Sequence, residues 1–180
     1  MSRRDARWHA PRGGTSGGAD PAGVPDPVRA LSHIAIAVRE ADPLVAVLVA
    51  ALGAARGGEE LIDDGALRVV FVRLGPVTLE LLEPRSPDHT VAKFLARRGE
   101  GLHHVSLEVD DLGAALAGCR AAGVQLIDDV PRPGAHDSRI AFLNPKSLGG
   151  VLVELCQAGG PRPPPAGPTT PSGRDAPETG

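Results

Sequence analysis

The sequence predicts an α+β fold in which two copies of a βαβββ unit form one curled mixed sheet around a metal site. Two stretches carry this expectation. In HIAIAV (33–38), Ile34, Ile36 and Val38 take one face of a period-two strand, and His33, Ala35 and Ala37 take the other. In LHHVSLEV (102–109), His104, Ser106 and Glu108 share one face, opposite His103, Val105, Leu107 and Val109. Each strand sets a histidine and small residues against bulky aliphatics. Each is followed by a helix, a glycine break and β-rich runs that end in a strand with a mid-strand glutamate. His33 to Glu80 spans 47 residues and His104 to Glu154 spans 50, so element order and polar spacing recur together.

The first strand, 31–38, leads into a helix with Asp42 as N-cap, Pro43 at its first position and Gly53 past its end. Leu44, Val47, Leu48 and Leu52 form its apolar stripe. Gly57-Gly58 breaks the chain, and 59–62 is a short strand. LRVVFVRL (67–74) and VTLELLE (77–83) are β-rich runs joined at Gly75-Pro76, the pattern of a hairpin. Residues 84–88 form a loop and 90–98 a linking helix. The order then starts again. After strand 102–109, Asp111 caps a helix through Ala122 that Gly123 ends; 124–127 is a short strand, 131–134 a loop, and 138–143 and 151–157 are two more strands. The expected organisation is therefore a domain over 30–157, with modules 30–84 and 101–157 joined by helix 90–98. The two copies are expected to pair about a pseudo-twofold axis.

Residues 1–29 and 158–180 are rich in Gly, Pro and Arg or in Pro and Gly, and neither tail has the apolar content to offset its ordering entropy. Both are expected to be disordered, and Trp8 to lie outside the core. The net charge of −3 argues against a partner bound through phosphate neutralisation, so no nucleic acid is expected. No apolar run reaches membrane-spanning length. Arg3, Arg4, Arg7 and Arg12 are not followed by an apolar core, so no secretory signal is expected. Cys119 and Cys156 are too few for a disulfide framework, which points to a reduced cytoplasm.

Glu80 and Glu154 each sit mid-strand among aliphatics, where a lone carboxylate would cost several kcal/mol to bury. A carboxylate is tolerated there when it coordinates a metal or is otherwise paired. Two neutral imidazoles, His33 and His104, with two carboxylates make an N2O2 set suited to Zn, Mn, Co, Ni or Fe(II), with positions left for water or substrate. His103 falls on the face opposite His104 and takes a structural role. His89 and His136 fall in loops and are expected to be exposed, although His136, in Gly-Ala-His-Asp, could reach over a substrate. Ala35, Ala37 and Ser106 are small and leave room on the cavity floor.

The segments HIAIAV (33–38), VTLELLEPRSPDHTVAKFLARRGEGLHHVSLEVDDL (77–112), GVQLIDDVPRPGAH (123–136) and AFLNPKSLGGVLVELCQ (141–157) resemble the vicinal oxygen chelate superfamily. That superfamily includes glyoxalase I, bleomycin-resistance proteins and extradiol dioxygenases. Within it the chain resembles the methylmalonyl-CoA epimerases, most specifically in Ala-Lys-Phe-Leu followed by Gly-Leu-His-His. The resemblance implies a glyoxalase-like fold and one divalent transition metal per chain (Co, Mn, Ni or Zn), held by His33, Glu80, His104 and Glu154. It implies an acyl-CoA substrate whose C2 proton is removed on one face of an enolate and returned on the other; Glu154 and Glu80, related by the expected pseudo-twofold, are placed by symmetry to act as the two bases. Lys146, Ser147, His136 and Ser106 are the expected substrate contacts, and a homodimer is the expected assembly. Two positions depart from the family: Asn144 stands where a histidine often precedes Pro-Lys-Ser, and Val69, beside Arg68, stands where some bacterial members carry a glutamate. A glyoxalase I-like lyase is the alternative enzyme, but no basic cluster for glutathione is visible. A metal-free binding protein on the same scaffold would stack planar ligands on aromatics, and the core offers only Phe71, Phe94 and Phe142.

Overall fold

The structure, a computed structural model, describes residues 28–159. Residues 1–27 and 160–180, and with them Trp8 and nearly all of both expected tails, lie outside the described residues. The first module contains β1 (Ala30–Ala37), α1 (Ala41–Leu52), β2 (Ala55–Ile62), β3 (Leu67–Leu74) and β4 (Val77–Pro84). The linking helix is α2 (Thr90–Arg98). The second module contains β5 (Gly101–Glu108), α3 (Leu112–Ala121), β6 (Arg132–Pro133), β7 (Arg139–Leu143) and β8 (Val153–Gln157).

All eight strands join one sheet in the order β2-β3-β4-β1-β5-β8-β7-β6. Read from the centre outward, the order is the same in both directions, as a pseudo-twofold between modules requires. β1 and β5 pair antiparallel at that centre, while β1 with β4 and β5 with β8 pair parallel. The sheet is therefore mixed, and its strands wrap a cleft.

The period-two patterns give the two faces their contents. Ile34, Ile36 and Val38 pack under α1 with Val70, Val72, Leu79 and Leu81. In the second copy, Leu112, Ala115 and Leu116 of α3 cover Ala141, Leu143 and Leu155. On the face that bears His33, Ala35 and Ala37 pack with Val69, Phe71, Leu82 and the α2 residues Val91 and Leu95. Ala35 and Ala37 are fully buried by that packing and do not line the cleft.

Local punctuation departs from expectation in several places. α1 starts two residues early, at Ala41, with Glu40 in the cap position and making no side-chain capping bond. Asp42 lies in the first turn instead, where Arg56 and Arg68 donate to its carboxylate. The buried stripe of α1 is Ala41, Val45 and Leu48, whereas Val47 and Leu52 are exposed. This helix is apolar nearly all round, so several stripes fit the sequence and only contact with the sheet selects one. Gly53 ends the helix in the left-handed region (φ 65°), as expected.

Gly57-Gly58 does not break the chain. It forms a bulge inside a longer β2, which pairs with β3 on both sides of it. Residues 124–127 form no strand, only a single bridge between Leu126 and Leu143. The loop at 131–134 supplies the short strand β6. Gly75 and Pro76 make the expected two-residue hairpin between Leu74 and Val77, and Asp111 caps α3 by accepting from Ala114 N at 2.9 Å.

Candidate active site

The antiparallel register of β1 on β5 places His33 opposite Ser106 and Ala35 opposite His104. Glu154 lies beside Ser106 on the parallel neighbour β8, and Glu80 lies beside Ala35 on β4. Four strands thus deliver two imidazoles and two carboxylates to the floor of one cleft of about 680 Å3. His33, His104, Ser106 and Glu154 are all buried.

His33 Nε2 lies 3.2 Å from His104 Nε2. The Glu154 carboxylate lies 3.5 Å from the first and 3.6 Å from the second. The three donor atoms fall within 4.8 Å of one another, a spacing that could surround one metal ion. Glu80 sits next to this cluster, its Oε1 3.2 Å from Nδ1 of His33. The two carboxylates therefore address opposite nitrogens of the same ring. Ser106 Oγ donates to Glu154 Oε1 at 2.7 Å.

Burial dominates the electrostatics. It lowers His33 to about 4, so that imidazole is neutral at pH 7 and able to act as a ligand. Burial, aided by His33, His103 and Arg132, holds His104 well below the ordinary imidazole range. Burial and then the charges of Glu154 and Glu60 raise Glu80 to about 8. Burial raises Glu154 to about 7 against the opposing hydrogen bond from Ser106. Two neutral imidazoles beside two carboxylates, of which Glu154 alone feels a nearby cation, Arg132, make a donor set that a divalent ion suits. The residues present fit such an ion.

The remaining expected residues divide. His136 lines the cleft with its ring 4.1 Å from Phe71, its backbone N–H donates to Glu60 at 3.0 Å, and its Nε2 lies 3.1 Å from Glu60 Oε1. Its φ of 53° and that of Asp137 at 56° turn the loop 134–138 across from the second module onto β2. Lys146 and Ser147 do not line the cleft. They form the turn 145–147 between β7 and β8, where Asn144 Oδ1 accepts from Lys146 N and Ser147 Oγ accepts from Gln125 N. His89 is not free in solvent: its Nδ1 accepts from Val91 N at the start of α2, and its Nε2 meets Asp63 at 2.9 Å.

His103 is the main surprise. The register of β5 on β1 slips between Leu102 and His104, leaving His103 as a bulge residue. A bulge overrides alternation, so His103 lines the cleft beside His104 instead of facing away. Ser32 occupies the matching bulge on β1 and lines the same cleft. Strand periodicity carries no sign of either. Asp128, Arg132 and Phe142 also line the cleft, the Arg132 guanidinium lying 5.2 Å over the Phe142 ring.

Residues 32–142 match the family model described as the glyoxalase/bleomycin resistance protein/dioxygenase superfamily. The human methylmalonyl-CoA epimerase, a mitochondrial protein, is 37% identical over 129 residues, 71% of this chain and 73% of its own. The methylmalonyl-CoA epimerase structure from Mycobacterium tuberculosis superposes with a TM-score of 0.71 at 32% identity, covering 77% of this chain and 95% of that one. A Streptomyces coelicolor methylmalonyl-CoA epimerase variant in complex with 2-nitronate-propionyl-CoA gives 0.69 at 34% identity, covering 74% and 99%. With this fold and this extent of similarity, the chain belongs to the glyoxalase/bleomycin resistance/dioxygenase superfamily and, within it, to the family of the methylmalonyl-CoA epimerases.

Proposed function

We propose that this protein epimerises methylmalonyl-CoA, or a closely related 2-alkylmalonyl thioester, by moving the proton on C2, with one divalent transition ion (Co, Mn, Ni or Zn) held by His33, His104, Glu154 and Glu80. The observation that carries this reading is the pair of carboxylates, Glu154 buried and Glu80 half-buried, that flank His33 on a cleft floor. Glu154 raised to about 7 and Glu80 raised to about 8 are poised for proton exchange near neutral pH. Homology to epimerases, one of them with an acyl-CoA analogue bound, supports the substrate class. When bound, the ion would polarise the thioester and carboxylate oxygens and stabilise the charge that develops as C2 loses its proton.

The chain's own residues do the rest. Glu154 takes the C2 proton on one face and Glu80 serves the other. Ser106 keeps the Glu154 carboxyl in one orientation through its 2.7 Å bond. His136 bounds the cleft through its contacts with Phe71 and Glu60. No helix among the described residues is long and apolar enough to cross a membrane. The free thiols Cys119 and Cys156 support a cytoplasmic setting. A homodimer completes the reading, supported by the apolar Val47, Val49 and Leu52 exposed on α1, and sedimentation velocity checks it.

The experiment is proton exchange at C2 in deuterated water, followed by NMR on metal-loaded protein. Glu154→Gln keeps an oxygen donor but cannot accept a proton. It should retain the metal and lose ~10²–10⁴ in epimerisation rate. Epimerisation at the wild-type rate by that variant would remove Glu154 as a base, and protein that neither binds metal nor exchanges C2 would remove the whole reading.

A further inference from the structure

An imidazole can hold a metal through Nε2 only if its proton sits on Nδ1, and something must receive that proton and fix the ring plane. For His104 the atom facing Nδ1 is Nδ1 of His103, 2.9 Å away. His104 Nε2 points the other way, toward His33 and Glu154. The His103 ring is itself held: it meets Phe94 of α2 edge-on at 4.9 Å, and Arg98 lies 5.9 Å over that Phe94. On its remaining side, His104 meets the Phe142 ring edge-on at 5.0 Å.

The same arrangement recurs in the first module. There the bulge residue is Ser32, and its Oγ lies 3.3 Å from Nδ1 of His33. In both copies, then, one extra residue in the strand turns the side chain before the histidine onto the cleft face, against that histidine's Nδ1. Without the bulge, strand alternation would send residues 32 and 103 to the opposite face of the sheet.

We propose that His103 is a positioning residue that accepts the Nδ1 proton of His104, and so fixes the tautomer and ring plane in which His104 Nε2 addresses the metal. The inference rests on the metal reading above. It requires that His103 carry its own proton on Nε2, leaving Nδ1 as the acceptor.

The test uses Zn2+ as probe and metal binding as readout, with no need for turnover. In zinc-loaded protein labelled with 15N-histidine, long-range proton–nitrogen correlation should show His104 protonated at Nδ1 and His103 protonated at Nε2. His103→Phe preserves packing against Phe94 but offers no acceptor. It should weaken Zn2+ affinity about 10–100-fold in a chelator competition. His103→Asn, whose Oδ1 takes the place of Nδ1, should recover most of that loss. Affinity in His103→Phe equal to wild type, or a proton on Nδ1 of His103 in the zinc form, would overturn the proposal while leaving the metal reading intact. Wild-type protein that takes up no Zn2+ would instead bring down the metal reading and the proposal with it.

Discussion

Ser106 has no exposed surface, and its hydroxyl donates to the Glu154 carboxylate at 2.7 Å. A hydroxyl in that place helps a buried carboxylate carry charge, because burial raises Glu154 to about 7 even with that bond in place. Ser106→Ala leaves a buried oxygen without its donor, a change that costs about 1–3 kcal/mol. We predict a loss of that size in urea unfolding of the metal-free protein, together with a further rise of the Glu154 pKa. Unchanged stability in that titration would mean that solvent already reaches Oε1.

At the scale of elements, bulges do as much as strand alternation to build the cleft. The bulges at Ser32 and His103 sharpen the two central strands where they cross the floor. The third, at Gly57-Gly58, bends the edge strand β2 as it pairs with β3. Gly57 is required there because a Cβ would stand 3.0 Å from the Phe71 carbonyl oxygen and 3.1 Å from the Phe71 Cβ. The neighbour is backbone within a sheet and has little room to give. Gly57→Val should cost about 1–3 kcal/mol through overpacking, read as a lower denaturation midpoint. It should also displace Phe71, and with it the His136 ring that rests 4.1 Å away. A substitution tolerated without change in melting temperature would show that the bulge can open.

At the scale of the whole molecule, the cluster makes metal-free stability depend on pH in a definite direction. Glu80 and Glu154 titrate at about 8 and about 7 in the folded protein, against an ordinary value of 4.5. Above that ordinary value the folded state holds more protons than the unfolded chain, so unfolding becomes easier as pH rises through the folded values. His33 and His103, both lowered to about 4 from 6.5, act in the opposite sense, but only below 6.5, where unfolded imidazoles take up protons. Between about 6.5 and 8 the carboxylates therefore dominate. Metal-free protein should lose stability across that window, and protein saturated with a divalent ion should show a flatter profile. Thermal melts in chelator at several pH values check this, and a melting temperature that rises from pH 6.5 to 8 would contradict it. Limited proteolysis belongs to the same scale. The Pro- and Gly-rich composition of residues 1–29 and 158–180 predicts that both ends are trimmed to a stable core of about 30–157.

Sequence alone determined what depends on local pattern. Period-two alternation on 33–38, the hairpin at Gly75-Pro76, the Asp111 cap and the recurrence of His and Glu at matched spacing were all legible, because neighbours in the chain dictate them. Those features suffice for the duplicated βαβββ order and for His33, His104 and Glu154 on one floor. What only the tertiary structure decided depends on register between strands distant in sequence. Nothing in LHHVSLEV says that β5 slips by one residue against β1, so alternation assigns His103 to the wrong face. Nothing in the apolar helix 41–52 says which stripe meets the sheet. The turn at 145–147 reads as a loop, and only the β7–β8 connection sets where Lys146 and Ser147 stand, outside the lining of the cleft. Local pattern is set by bonds along the chain, whereas register and facing are set by packing between segments, and that packing put His103 against His104.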